Sequence, residues 1–138
     1  SGVDSLLRTT IIDVRDYRVV KLSFWYYPNN IISSDSFAVE YSVTNGLLWD
    51  TLQVYNVDSD EVSFDNHHWQ YDALRADVEN YPFVIFRFVC RAPGAHHRVH
   101  IDDVTITGMF PRESASTYRN IISFHNFDTQ KDLSSSIF

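Results

Sequence analysis

The chain has 138 residues, enough for one domain with a core of its own, and a formal net charge of −7. That balance excludes nucleic acid and anionic membranes as partners, because both are held by clustered Lys and Arg. A single cysteine, Cys90, excludes an intrachain disulfide, and aromatic residues make up 15% of the chain, more than a minimal core uses, so some are expected on a contact surface.

The opening "SGVDSLL" lacks an initiator Met and predicts excision from a longer precursor. No signal peptide, membrane span or Asn-x-Ser/Thr sequon is visible. "RVVKLSFWYY" alternates as a strand, with Val20, Leu22, Phe24 and Tyr26 on one face and Val19, Lys21, Ser23, Trp25 and Tyr27 on the other. Pro28-Asn29-Asn30 ends it. "SFAVEYSV" points Phe37, Val39, Tyr41 and Val43 inward and Ala38, Glu40 and Ser42 outward, and Thr44-Asn45-Gly46 turns the chain into "LLWDTLQVY". The acidic run "VDSDEVSFDN" reads as a loop. "HHWQYDALRADVENYP" carries the weakest signal and suggests a short strand at Trp69 with one helical turn near Ala73.

"FVIFRFVCR" aligns Val84, Phe86, Phe88 and Cys90 on one face, with Ile85, Arg87 and Val89 opposite. In "HRVHIDDVTITGMF" the apolar phase slips by one residue: Val99 and Ile101 share one parity, Val104 and Ile106 the other. A β-bulge at Asp102-Asp103 produces such a slip. Many short strands separated by turn signals predict an all-β antiparallel sandwich of two sheets. Phe24, Val39, Tyr41, Phe86, Phe88 and Ile101 are expected in its core.

The segments "DYRVVKLSFWYYP", "DSFAVEYSVTNGLLWDTL", "NHHWQYDAL", "FVIFRFVCRA" and "RVHIDDVTITG" follow one another in an order that resembles the jelly-roll sandwiches of the MAM-like, laminin-G-like and carbohydrate-binding-module group. The similarity covers roughly residues 5–108. The paired cysteines of true MAM domains are absent, and no enzyme signature accompanies the match. Such modules begin with a strand ending in Phe-Glu or Phe-Asp; here that opening stands at the other end, in "ISFHNFDTQKDLSSSIF". The resemblance therefore implies a jelly roll offset by one strand, with a body over 1–108, a linker over 109–119 and a completing strand and loop over 120–138. Ile122, Phe124 and Phe127 are the apolar residues of that strand. It completes either its own sandwich, as in a circularly permuted chain, or that of an identical or similar subunit, as in donor-strand complementation. A disordered tail is the third possibility, against which the apolar alternation argues.

In modules of this group, acids from the first and last strands often hold structural calcium, so the resemblance points to Asp102, Asp103 and Asp128 as ligands. The other reading is that these aspartates cap turns. Trp25 and Tyr27, opposite the main apolar stripe of their strand, are candidates for stacking on sugar rings; burial under loops or a neighbour is the alternative. Trp49 and Trp69 read as core or hairpin packing. His96, His97 and His100 lack the parity to converge on zinc, adjacent His67 and His68 point apart, and a solvated loop is the expectation for them. Cys90 reads as a buried small hydrophobe. Carboxylates are plentiful, but without a catalytic motif a glycoside hydrolase ranks last. The expectation is a non-catalytic, extracellular or cell-surface structural or adhesion module of a repetitive or filamentous assembly. A carbohydrate-binding module of a larger secreted protein is the alternative.

Overall fold

A computed structural model describes residues 5–111 and 119–123. Every element among them is a β-strand: β1 (Ser5–Arg8), β2 (Ile12–Asp13), β3 (Tyr17–Asn29), β4 (Ser36–Ser42), β5 (Asp50–Tyr55), β6 (Gln70–Asp77), β7 (Phe83–Arg91), β8 (Arg98–Pro111) and β9 (Arg119–Ser123). They form two antiparallel sheets, ordered β1-β7-β4-β5 with β2 also on β7, and β6-β3-β8-β9. The sheets pack as a β-sandwich, as the alternation predicts.

The core follows from period-two patterning. Val20, Leu22, Phe24 and Tyr26 of β3 are all buried and face Phe37 and Val39 of β4 and Val84, Phe86, Phe88 and Cys90 of β7. Phe24 sits at the centre. Its ring meets Phe37, Tyr55 and Phe88 edge-on at 6.5, 6.3 and 5.1 Å between centroids, the geometry the aromatic quadrupole favours. Full burial of each such side chain contributes roughly 1.5–3 kcal/mol. Tyr41 is only partly buried and packs against the edge of this cluster.

The β8 bulge lies where the apolar phase slips. Ser23 pairs with Thr105 and Trp25 with Asp102, so one residue of β3, Phe24, opposes both Asp103 and Val104. Asp103 takes φ +50°, and its N–H donates to Asp102 Oδ1 at 2.8 Å. The extra residue lets Ile101 and Val104 both point into the core. Within the β4–β5 loop, Asn45 and Gly46 have φ of 56° and 85°, the left-handed pair of a turn closed by the Leu47 N–H donating to the Thr44 carbonyl at 3.3 Å. The buried Ser42 hydroxyl accepts the N–H groups of Thr44 and Gly46 at 3.2 and 2.9 Å and fixes that turn.

Three sequence expectations need correction. Ala73 is not in a helical turn: Gln70–Asp77 is a strand paired along its whole length with β3. Its inward positions include Asp72, so the apolar alternation that marks other strands is diluted. Ala38, Glu40 and Ser42 lie on the face opposite Phe37, Val39 and Tyr41 and yet are buried; Glu40 is paired with Arg87, and the Ser42 hydroxyl is taken up by the turn that follows. The histidines are not simply solvated, as described below.

β9 pairs antiparallel with β8 of its own chain, Thr105 opposite Ser123 and Ile106 opposite Ile122. Ile122 thus lies within a strand. Phe124, Phe127 and Asp128 lie outside the described residues.

Candidate functional site

The outer face of the β6-β3-β8-β9 sheet carries side chains in register across strands. Trp25 on β3 stands opposite Tyr71 on β6 and Asp102 on β8. Their rings are tilted at 55° with centroids 5.5 Å apart. One step along, Tyr27 packs on Trp69 at 5.3 Å and is flanked edge-on by His67 at 6.2 Å and His100 at 6.0 Å. Trp25, Trp69 and Tyr71 remain 41%, 48% and 53% exposed. Two aromatic pairs, Trp25–Tyr71 and Tyr27–Trp69, therefore stand side by side on this face, with Trp25, Trp69 and Tyr71 open to solvent and Tyr27 partly buried.

The patch is held rigidly. Trp25 and Tyr27 belong to a central strand paired on both sides. Trp69 and His67 belong to the loop entering β6, which is pinned at several points. Asn66 accepts the Ile31 N–H and donates to the Ile31 carbonyl, both at 2.8 Å. His67 adopts φ +64°, and its N–H donates to the Pro28 carbonyl at 2.8 Å. The Gln70 side chain accepts the Asp65 N–H and donates to the carbonyls of Asp65 and His68, each at 2.9 Å. The Tyr26 hydroxyl donates to the Ser63 carbonyl. Groups ordered before a ligand arrives cost less to order on binding.

Beyond Trp25 along the same face, the floor is made of small residues: Ser23 with Ala73 and Thr105 beside it. The next row places Lys21 directly opposite Arg75, with Thr107 on the other side. A cleft of about 440 Å³ adjoins this end, lined by Arg18, Val19, Arg75, Asp77, Glu79 and Phe110.

The sequence-predicted residues fall as follows. Trp25 and Tyr27 share the patch. Trp69, read from the sequence as core or hairpin packing, is instead exposed and joins Tyr27. Tyr71, which no local pattern in the sequence marks, completes the four; its place depends on the β3–β6 register. Trp49 is half-buried, its ring under the Arg87 guanidinium at 3.9 Å, and its indole N–H donates to the Gly46 carbonyl at 3.1 Å. Asp102 and Asp103 occupy the bulge, and Asp102 serves as its cap. No group of three His, Cys, Asp or Glu side chains arranged to hold a metal occurs among the described residues. Two carboxylates alone supply fewer oxygens than calcium takes, and Asp128 lies outside the described residues. His97 is turned into the body, its Nδ1 2.8 Å from Oδ2 of the buried Asp35. His100 packs on Tyr27, and His96 is exposed. Cys90 is buried.

No protein-family model and no curated protein sequence matches the chain.

Proposed function

We propose that this chain is a non-catalytic carbohydrate-binding module of jelly-roll type, working in an extracellular or cell-surface setting. The observation that carries the reading is the two aromatic pairs, Trp25–Tyr71 and Tyr27–Trp69, on strands and a loop that are already ordered, with three of the four rings exposed. Exposed apolar surface of this kind marks an interaction site. Sugar rings suit it because they present flat C–H faces, polarised positive, to the negative face of an aromatic ring. Their hydroxyls need donors and acceptors at the rim, and the partly exposed Asp102, His100 and Thr105 stand there.

The strand order supports the offset jelly roll. First and last strands of such sandwiches are neighbours, and β9 lies beside β8. The test of the binding reading is a glycan array followed by titration calorimetry on a retained sugar. Trp25→Ala and Tyr71→Ala should each weaken binding by roughly tenfold, about 1.4 kcal/mol, with an unchanged circular dichroism spectrum. Retention of no glycan, or full affinity in both variants, refutes the reading.

A second reading, assembly by strand exchange between copies of the chain, is favoured by β9 itself. It is an edge strand of five residues, the kind of element that can pass from one subunit to another. Removing residues 119–138 should then abolish assembly seen by gel filtration and electron microscopy, and a peptide of those residues should restore it. A full-length chain that stays monomeric at all concentrations rules this out.

A further inference from the structure

We propose that the sugar bound on this face is acidic: its ring stacks on Trp25 and Tyr71, and its carboxylate or sulfate is held by Lys21 and Arg75. The inference rests on the carbohydrate reading and adds the ligand's charge and orientation.

Lys21 and Arg75 are direct cross-strand partners on the outer face. Like charges in that relation destabilise a sheet, so their juxtaposition needs an account. Acids are the commoner charged residues here, 18 Asp and Glu against 11 Lys and Arg. Even so, neither cation makes an ion pair among the described residues. Two acids, Asp77 and Glu79, line the cleft with Arg75, and neither forms an ion pair with it. Asp77 Oδ1 accepts the Glu79 N–H at 3.0 Å, and Glu79 Oε1 lies 3.9 Å from Arg18 Nε. The Lys21–Arg75 pair thus offers an ammonium and a guanidinium side by side to an anion from outside. Charge-assisted bonds to such a group are about twice as strong as neutral ones.

The spacing suits a sugar. Lys21 and Trp25 are four residues apart on one extended strand, about 13 Å between Cα atoms. Between them lie only small side chains, the buried Ser23 flanked by the exposed Ala73 and the partly buried Thr105. A ring seated on the aromatic pair can therefore extend an acidic substituent, or the next acidic unit, toward the cations. The opposite orientation is disfavoured, because Asp102 stands beside Trp25 and repels an anion there.

The experiment compares an oligouronate, its methyl ester and a sulfated neutral-backbone oligosaccharide, titrated into the protein by calorimetry at low and physiological salt. Esterification removes the charge and keeps the ring. The wild type should bind the acid or the sulfated chain at least tenfold more tightly than the ester, and salt should narrow the gap. Whichever acidic chain binds tighter identifies the anion. In the Lys21→Gln/Arg75→Gln double variant, folded by circular dichroism, acid and ester should bind alike. An ester that binds as tightly as the acidic chains, or a preference that survives in the double variant, overturns the proposal and leaves the carbohydrate reading standing. Equal binding of all three sugars by wild type and Trp25→Ala sinks the carbohydrate reading itself.

Discussion

Tyr55 on β5 donates its hydroxyl hydrogen to Asp72 Oδ2 on β6 at 2.6 Å, a bond that joins the edges of the two sheets. The phenol ring is fully buried, while the carboxylate is partly open to water. A hydrogen bond to a charged acceptor contributes about 1.5–3 kcal/mol, and partial exposure of Asp72 places this one at the lower end. Tyr55→Phe should therefore cost about 1.5 kcal/mol in urea denaturation, with an unchanged m-value. A loss below about 0.5 kcal/mol would mean that apolar packing alone holds this side of the sandwich.

The same region predicts the alkaline limit of the fold. Burial, reinforced by the charges of Asp72 and Asp65, pushes the Tyr26 phenol up to about 12. Burial, with the bond to Asp72 and that charge, also raises Tyr55. Both phenols stay protonated in the folded chain where the unfolded chain releases protons. Above the unfolded value, stability must then fall with rising pH, because the unfolded state binds fewer protons. The contribution is complete below pH 10 and, for Tyr26, is lost as pH climbs from 10 to about 12. Melting temperatures across that window should drop steeply for the wild type and less so for Tyr26→Phe. An ultraviolet titration should find part of the phenolate signal of the eight tyrosines appearing only as the chain unfolds. Identical pH profiles for Tyr26→Phe and wild type would refute the assignment.

How far the sequence reveals this molecule depends on how each strand is buried. β3 and β7 are legible because one face of each enters the core, and a register slip by one residue would turn that face to water. The bulge is legible for the same reason, since Ile101 and Val104 can both be inside only if a residue is added between them. β6 is not legible. It is an edge strand whose inward row includes Asp72, satisfied by a tyrosine from the other sheet that no local pattern announces. The site divides along the same line. Trp25 and Tyr27 stand out as aromatics on the wrong face of an obvious strand, whereas Trp69, Tyr71 and Arg75 join them only through the β3–β6 register.

Asp103 at φ +50° is a backbone position that side chains larger than Asn or Asp resist. Asp103→Asn should be nearly neutral in thermal melts. Asp103→Val should cost about 1–3 kcal/mol, because a β-branched residue is strained there. Asp102→Ala, which leaves the Asp103 N–H without its acceptor at 2.8 Å, should cost about 1 kcal/mol. If Val is tolerated as well as Asn, the bulge is not held in this conformation.

Removing Phe24 should be the most damaging single truncation in the sandwich. Its ring touches aromatic residues from β4, β5 and β7 at once, and the tight cross-sheet packing leaves little room for collapse. Phe24→Ala should cost about 3–5 kcal/mol in denaturant unfolding. A loss under about 1 kcal/mol would show that the core relaxes into the space.

On the outer face of the other sheet, Arg87 is fixed from two directions. Its Nε donates to Glu40 Oε1 at 2.7 Å, and its guanidinium lies over the Trp49 ring at 3.9 Å. The two charged side chains are only 22% and 11% exposed, so water screens this pair far less than it screens Arg15 and Asp13, at 66% and 52%. Exposed pairs of the latter kind contribute little. Breaking the buried one leaves a desolvated charge behind. Glu40→Ala should therefore cost about 2 kcal/mol, while Asp13→Ala should leave the melting temperature almost unmoved. Arg87→Lys separates the two contacts. Lysine keeps the charge but has neither the planar group that stacks on an indole nor the forked donors. It should lose about 1 kcal/mol, the size of a cation–π contact at a partly desolvated site. In a Trp49→Leu background that penalty should shrink, since the ring is no longer there to stack on. An Arg87→Lys cost that is the same with and without Trp49 would assign the whole effect to Glu40.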